Sequence, residues 1–294
     1  MNSADVRRAA AAAKSIMAAL GLAASEAVVL NNSNNLMLRI LPCDVVARVG
    51  RAGQESTPSG ITWSRLDVAQ LEVDLAQRLA ETRSPVAALE PRVAPRVYER
   101  DGFVVTLWTY YEPLASGEVS SADYAHALER LHADMRRIDL TTPHFMDRVA
   151  ETQQWVASRD MTPELADADR ELLEHTLRSL RRTIGDRSAA EQLLHGEPHP
   201  WNVLNTRSGP LFIDFENAVR GHVEYDLAWV PEAVSGRYPG VDRELLSECR
   251  GLMLAIIAAS RWHRDDQHPS GRRSGAEFLS ALRDGPPWPA VDDV

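Results

Sequence analysis

The stretch that most constrains this 294-residue chain runs from Leu193 to Trp229 and reads LLHGEPHPWNVLNTRSGPLFIDFENAVRGHVEYDLAW. Two short apolar runs, residues 201–204 and 211–215, flank a polar turn at Ser208, Gly209 and Pro210. That pattern reads as two strands joined by a hairpin. His195, Glu197 and Asn202 precede the turn, and Asp214 and Glu216 follow it. A hairpin brings Asn202 near Asp214, which supplies oxygen ligands for a hard cation, with Glu197 beside them as a base.

HGEPHPWN resembles the HGDxxxxN catalytic loop of the aminoglycoside phosphotransferase and choline kinase families, relatives of the protein kinases, and IDFE resembles their metal-binding strand. On this resemblance Glu197 falls on the catalytic carboxylate, Asn202 on the metal-ligating amide and Asp214 on the second metal ligand. Glu216 falls on a further acidic position that several members carry. The departure is Glu197, where the family usually has Asp. The extra methylene moves the carboxylate by roughly 1.5 Å, and a displacement of that order costs about 10²-fold in rate unless the loop is retuned.

Other readings compete for these residues. Histidines at 195 and 199 around Glu197 suggest zinc, but HExxH requires a helix with Glu directly after the first His, and Pro198 and Pro200 forbid that helix. His195 reads as structural, fixing the loop through a backbone hydrogen bond, and His199 as surface or site rim. Asp226 reads as the cap of a helix beginning near Leu227 or, by the resemblance, as a brace for the loop.

Lysine usage excludes several chemistries. Lys14 is the single lysine, and every other basic side chain is arginine. GxxxxGK[ST] is absent, and Schiff-base chemistry has no activated amine to use. Lys14 lies in an alanine-rich segment, residues 4–20, expected to be a helix with Ser3 as N-cap, Gly21 just past its end and Lys14 on a solvated face. Residues 26–50 then change to a strand meander, with VVL, LMLRIL and VVARV separated by NNSNN and a turn at 42–44. The loop at 31–35 resembles the family's phosphate-covering loop, with Ser33 and Asn34 matching but without its glycines.

Arg48, on the third strand, stands where the family places a phosphate-binding lysine, and guanidinium is a bidentate phosphate partner in its own right. Its open alternative is an outward-pointing strand arginine. The expected partner is Glu72, on a helix over 64–81 whose apolar face comprises Leu66, Ala69, Val73, Ala76 and Leu79. Residues 50–61, rich in Gly, Ser and Pro, read as a mobile connection. FVVTLWTYYE at 103–112 reads as a strand leading into a hinge. The resemblance makes Thr109, Tyr110, Tyr111 and Glu112 candidates for the nucleotide's edge, although these aromatics equally suit packing.

Farther on, a helix from Ser120 places Tyr124, Leu128, Leu131 and Met135 on one face, with His132 as a structural histidine. Helical segments follow at 145–158 and 163–184, where Asp160, Glu164, Asp167 and Asp169 are candidates for recognising cations or simply a solvated face. Residues 243–259 read as a core helix and 261–273 as a polar loop bordering the pocket, with Trp262 a candidate ligand platform. The tail at 285–294 reads as irregular.

Hydrophobic residues make up 44% and charged residues 25%, a globular composition, and the net charge of −10 argues against a nucleic-acid partner. Two cysteines, Cys43 and Cys249, in no CxxC pattern, argue against a disulfide framework and fit a cytoplasmic protein. No apolar run reaches the length of a membrane span.

The fold expected is α+β, a bilobal protein-kinase-like arrangement with a small β-rich N-lobe over 1–110, led by a helix, and a larger, mainly helical C-lobe over 111–294. The activity implied is transfer of the γ-phosphate of ATP or GTP, with Mg²⁺, to a hydroxyl-bearing small molecule, cationic or polar, such as an antibiotic. Arg48 then steadies the phosphates, and Glu197 accepts the hydroxyl proton. Two alternatives remain: a degenerate member that binds nucleotide or ligand without transfer, motivated by Glu197, Arg48 and the glycine-poor loop, and a zinc hydrolase built on His195, Glu197 and His199.

Overall fold

A computed structural model describes residues 1–56, 62–114 and 117–291. Helix α1 (Ser3–Ala19) precedes strands β1 (Ala24–Asn32), β2 (Leu36–Pro42) and β3 (Val45–Arg51). The short strands β4 (Gln54–Ser56) and β5 (Thr62–Ser64) lead into α2 (Arg65–Glu81), and β6 (Tyr98–Arg100) and β7 (Phe103–Thr109) complete an antiparallel five-stranded sheet ordered β1-β2-β3-β7-β6. The N-cap of α1 is Asn2 rather than Ser3, its side chain accepting from the Asp5 N–H at 2.9 Å, while Gly21 takes the positive φ expected past the helix end. Lys14 is half-buried. Of the expected mobile connection, residues 57–61 lie outside the described residues, and Gln54–Ser56 form strand β4.

The period-2 geometry of a strand sorts the side chains of this sheet. Leu36, Leu38 and Ile40 of β2, Val45, Ala47 and Val49 of β3, and Val105 and Leu107 of β7 pack on Ala9, Ala12, Ala13, Ile16 and Met17 of α1. Val46 and Trp108 point the other way and meet Ala76 of α2. Arg48 shares that second face by register. Ser64 caps α2 in a reciprocal capping box with Asp67. The buried face of α2 comprises Leu71, Glu72, Val73, Leu75, Ala76 and Leu79, whereas the expected Leu66 is exposed and Ala69 half-buried.

Two compact units emerge among the described residues: 1–56, 62–114, 117–119 and 204–216 form one, and 120–203 and 217–291 the other. The second begins with α3 (Ser121–Met135), capped by Ser120, with Tyr124, Leu128, Leu131 and Met135 buried as expected. Next come α4 (Phe145–Ala157) and α5 (Asp167–Gly185). The start of α5 lies four residues beyond expectation, because Arg170 reaches back to the Thr162 carbonyl and hydroxyl, each at 2.9 Å, and holds the preceding turn closed.

The chain continues through β8 (Gln192–Leu194) to the paired strands β9 (Val203–Thr206) and β10 (Gly209–Phe212), then β11 (Val219–Gly221), which pairs with β8. Helices α6 (Val223–Leu227), α7 (Glu232–Ser235), α8 (Arg243–Trp262) and α9 (Gly271–Asp284) follow. The hairpin is present, but its strands are displaced: Pro200–Asn202 form a 3₁₀ turn before β9, and Phe215–Asn217 form another after β10. Helix α8 is buried throughout residues 251–259 and packs on α4, α5, α6 and α9, which makes it the axis of this unit. The expected polar loop over 261–273 is shorter, since Trp262 ends α8 and Gly271 opens α9. Trp262 is covered by Arg272, 5.1 Å from its ring centre, and by Gly275, and so is not a free platform. The tail is irregular through residue 290, its last three residues lying outside the described set.

Candidate active site

Within the first unit, Arg48 is the centre of charge. Its outward-pointing alternative is wrong: the residue is 7% exposed, and Nη1 donates to Glu72 Oε1 at 2.8 Å. The other terminal nitrogen lies 2.7 Å from both Asp214 Oδ1 and Glu216 Oε2. One guanidinium thus faces three carboxylates. Burial opposes the Arg48 charge, but Glu72, Asp214 and Glu216 outweigh it and hold the proton more firmly than usual. Glu72, 2% exposed, is pushed up to about 7 by burial, against the pull of Arg48 and reinforced by Asp214 and Glu216.

Asp214 has φ 68°, a left-handed conformation that Asp tolerates better than most residues. The following N–H, from Phe215, donates to Glu72 Oε1 at 3.2 Å. Asp214 Oδ2 has no partner among the described residues and suits a hard cation. Glu216, a metal candidate by sequence, has one oxygen engaged: Oε2 accepts from Asn35 Nδ2 at 2.7 Å and from Arg65 at 3.4 Å, as well as facing Arg48. It serves as a clamp for the cationic cluster. Asn35 and Arg65 are contributions that sequence reasoning missed, since both partners lie more than a hundred residues away. Ser33 and Asn34 sit in the exposed turn between β1 and β2, and a cavity of about 20 Å³, room for one water, is lined by Asn35, Arg48, Arg65, Glu72 and Glu216. Thr109 ends β7, and Tyr110, Tyr111 and Glu112 line an open cleft of about 530 Å³ with Thr206, Arg207 and Ser208. Tyr110 carries Arg39 on its ring at 3.8 Å, and the Tyr111 hydroxyl accepts from the Ala88 N–H at 3.2 Å, so both aromatics are packed.

In the second unit the loop carrying Glu197 is held from below by Asp226. This carboxylate, 0% exposed, accepts from the His195 N–H at 2.9 Å and the Gly196 N–H at 2.8 Å, and meets His132 Nε2 at 3.0 Å. The other nitrogen of His132 meets the Tyr238 hydroxyl at 2.8 Å, which makes this histidine structural. Asp226 lies inside α6 and does not cap a helix; of its two sequence readings, the brace is the one realised. Gly196 has φ 90°, and a Cβ there would come within 1.8 Å of the Asn217 carbonyl oxygen, so the loop requires glycine at this point.

Two further bonds shape the loop. The Glu197 N–H donates to His195 Nδ1 at 3.4 Å, and Asn202 Nδ2 donates to the Glu197 carbonyl at 2.9 Å. That second bond turns the amide so that Asn202 Oδ1 is left as a free acceptor among the described residues, the atom a hard cation would take. The Glu197 side chain is gripped by Arg148 of α4, whose Nη1 donates to Oε1. Arg148 in turn interacts electrostatically with the Tyr225 phenol and lies 5.6 Å from the Trp229 ring centre. Burial, the largest influence, pushes the Tyr225 phenol up to about 12, with Arg148 pulling against it. His199 is half-buried against Trp229, its ring centre 5.9 Å away. No group of three or more His, Cys, Asp or Glu side chains among the described residues is arranged to hold a metal, which gives the zinc alternative no support.

The acidic side chains considered for cation recognition are mostly neutralised. Asp167 pairs with Arg159 at 2.6 Å, Glu164 with Arg272 at 2.7 Å, and Asp169 with Arg283. Cys43 and Cys249 are free, and no described helix is long and apolar enough to cross a membrane.

Several solved structures share this architecture. An amicoumacin kinase in complex with AMP-PNP, Ca²⁺ and its ligand superposes with a TM-score of 0.68 at 10% identity, covering 97% of each chain. An aminoglycoside phosphotransferase, APH(2″)-IIIa, with GDP and kanamycin gives 0.65 at 15% identity over 92% of this chain and 97% of that one. The choline kinase LicA from Streptococcus pneumoniae gives 0.64 at 13% identity over 96% and 98%. At such identities the likeness establishes the fold, an antiparallel β-sheet N-lobe and a helical C-lobe of the protein-kinase-like kind. No curated protein matches in sequence. The family model described as "Phosphotransferase enzyme family" matches residues 58–251, about two thirds of the chain and all of the loop from His195 to Asn202. With the fold, that match establishes that the chain belongs to this phosphotransferase family.

Proposed function

We propose that this phosphotransferase moves the γ-phosphoryl group of ATP or GTP to a hydroxyl of a small polar molecule in the cytoplasm, with an antibiotic as the leading acceptor class. The observation that carries the reading is the state of the Glu197–Asn202 loop. Its backbone is fixed by Asp226, one carboxylate oxygen of Glu197 is unengaged among the described residues, and Asn202 presents a free amide oxygen. Asn202 Oδ1 and Asp214 Oδ2 are the donors that would hold Mg²⁺, which when bound neutralises phosphate charge. Arg48 steadies the phosphates from β3, with Glu72 fixing its direction. Ser33 and Asn34 cover the phosphates from the β1–β2 turn, and backbone of Thr109, Tyr110 and Tyr111 meets the base.

In the reaction Glu197 orients the acceptor hydroxyl and takes its proton as the oxygen–phosphorus bond forms. The bond from the γ-phosphorus to the bridging oxygen breaks, and nucleoside diphosphate leaves. The test is mass spectrometry of reactions containing ATP or GTP, Mg²⁺ and a panel of kanamycin, spectinomycin and choline, each product gaining one phosphate. Nucleotide turnover that stops with EDTA and in Glu197→Gln supports the reading. Glu197→Gln turning over as fast as the native chain would overturn Glu197 as the base.

A second reading, a nucleotide binder without transfer, draws on one observation: both terminal nitrogens of Arg48 are already committed to carboxylates. Magnesium-dependent nucleotide binding with no transfer to any acceptor would favour it.

A further inference from the structure

The departure from the family at Glu197 has a counterpart in the fold. A longer carboxylate has one more rotatable bond, so its reacting oxygen is placed less firmly than that of an aspartate. In this chain Arg148, 49 residues away in sequence, takes Glu197 Oε1, and nothing among the described residues takes Oε2. Arg148 is held from its other side as well, since it interacts electrostatically with the Tyr225 phenol and the Trp229 ring centre lies 5.6 Å from its guanidinium carbon. Tyr225 itself is 1% exposed and stands directly before Asp226, the brace of the same loop. The backbone of Glu197 is fixed at both ends, its N–H by His195 and its carbonyl by Asn202.

We propose that Arg148 is a positioning residue: it tethers Oε1 so that the longer side chain presents Oε2, and only Oε2, to the acceptor hydroxyl. This rests on the phosphotransfer reading above. In this role Arg148 acts through Glu197, the side chain it holds. The pair also explains why glutamate is usable here, because an aspartate at 197 falls short of the guanidinium by one methylene, roughly 1.5 Å.

The test is a kinetic cycle of Arg148→Met, Arg148→Lys, Glu197→Asp and the double variant Arg148→Met/Glu197→Asp, assayed with ATP or GTP, Mg²⁺ and the acceptor panel. Arg148→Met is expected to lower kcat by about 10²-fold while the nucleotide KM stays within about twofold. Arg148→Lys, which keeps the charge and the stem, is expected to recover at least about tenfold of that loss. Glu197→Asp should cost clearly less in the Arg148→Met background than in the native one, since the tether it fails to reach is already gone.

A purely structural arginine would instead lower Tm in both Arg148 variants, with kcat unchanged and the two sites multiplying independently; that result overturns the proposal. Should Arg148→Met not fold, Arg148→Lys decides alone: a kcat lowered by up to about tenfold with the nucleotide KM within about twofold supports the proposal, and a native kcat with a lowered Tm overturns it. If the native chain transfers phosphate to none of the acceptors, the transfer reading falls and the positioning role with it. If it does transfer and Arg148→Met is equally fast, the positioning role alone falls.

Discussion

Asp226→Asn isolates the brace beneath the loop with the smallest possible change in shape. The native carboxylate offers two oxygens to three donors: Oδ1 to the Gly196 N–H, and Oδ2 to the His195 N–H and His132 Nε2. Asparagine replaces one of those oxygens with an NH₂ group that accepts nothing. Turned toward Gly196, it sets one backbone N–H against another donor; turned the other way, it does so at His195. The least costly orientation still loses one hydrogen bond to a charged acceptor, about 1.5–3 kcal/mol. It also leaves one buried N–H unpaired, about 1–3 kcal/mol more. A loss of roughly 3–6 kcal/mol is therefore expected, lowering Tm by about 5–10 °C for a chain of this size. Urea unfolding at constant m, with calorimetry, measures it, and amide exchange at His195 and Gly196 should accelerate. A change below about 1 kcal/mol with those two amides still protected would refute the argument that Asp226 holds the loop.

Three further outcomes follow from the geometry. Because Glu72 is pushed up to about 7 in the folded chain against an ordinary value near 4.5, the folded state binds its proton more tightly. This stabilisation is full below about pH 4.5 and lost as pH rises through 7, a fall of up to roughly 3 kcal/mol that Glu72→Gln should flatten in pH-dependent denaturation. Gly196→Ala forces a Cβ to within 1.8 Å of the Asn217 carbonyl oxygen at φ 90°, and should cost more than about 2 kcal/mol in urea unfolding. Trp201, 88% exposed on the same loop, packs on nothing that stability depends on, so Trp201→Ala should leave the unfolding midpoint within about 0.5 kcal/mol of native.

Features with a local cause were legible in the sequence. The period-2 alternation of β3 puts Arg48 on the face of α2, and the Ser64–Asp67 capping box sets where α2 begins, which together explain why Arg48 and Glu72 meet. The spacing within HGEPHPWN placed Glu197 and Asn202 on one loop. Illegible features are those whose cause lies far along the chain. Nothing local announces that Arg148 grips Glu197, that Asn35 reaches Glu216, or that Arg170 closes the turn before α5. Trp262 looked like a ligand platform because its cover, Arg272 and Gly275, belongs to a helix that its polar composition disguised as loop. The charges around α5 looked available for a similar reason, two of their arginine partners, Arg272 and Arg283, lying on α9 and the third, Arg159, in the loop before α5.

The sole lysine, Lys14, sits on α1, and the cationic cluster of the first unit is made of guanidinium alone. A guanidinium stays protonated and has no lone pair to offer an electrophile. Reagents that acylate amines, including nucleotide analogues armed to modify a phosphate-site lysine, would therefore mark Lys14 and the α-amine and pass over Arg48. A dicarbonyl probe could react there in principle, yet with 7% of its surface accessible Arg48 should be among the slowest arginines of the chain to be modified. Labelling surveys that score phosphotransferases by their reactive amine would miss this one.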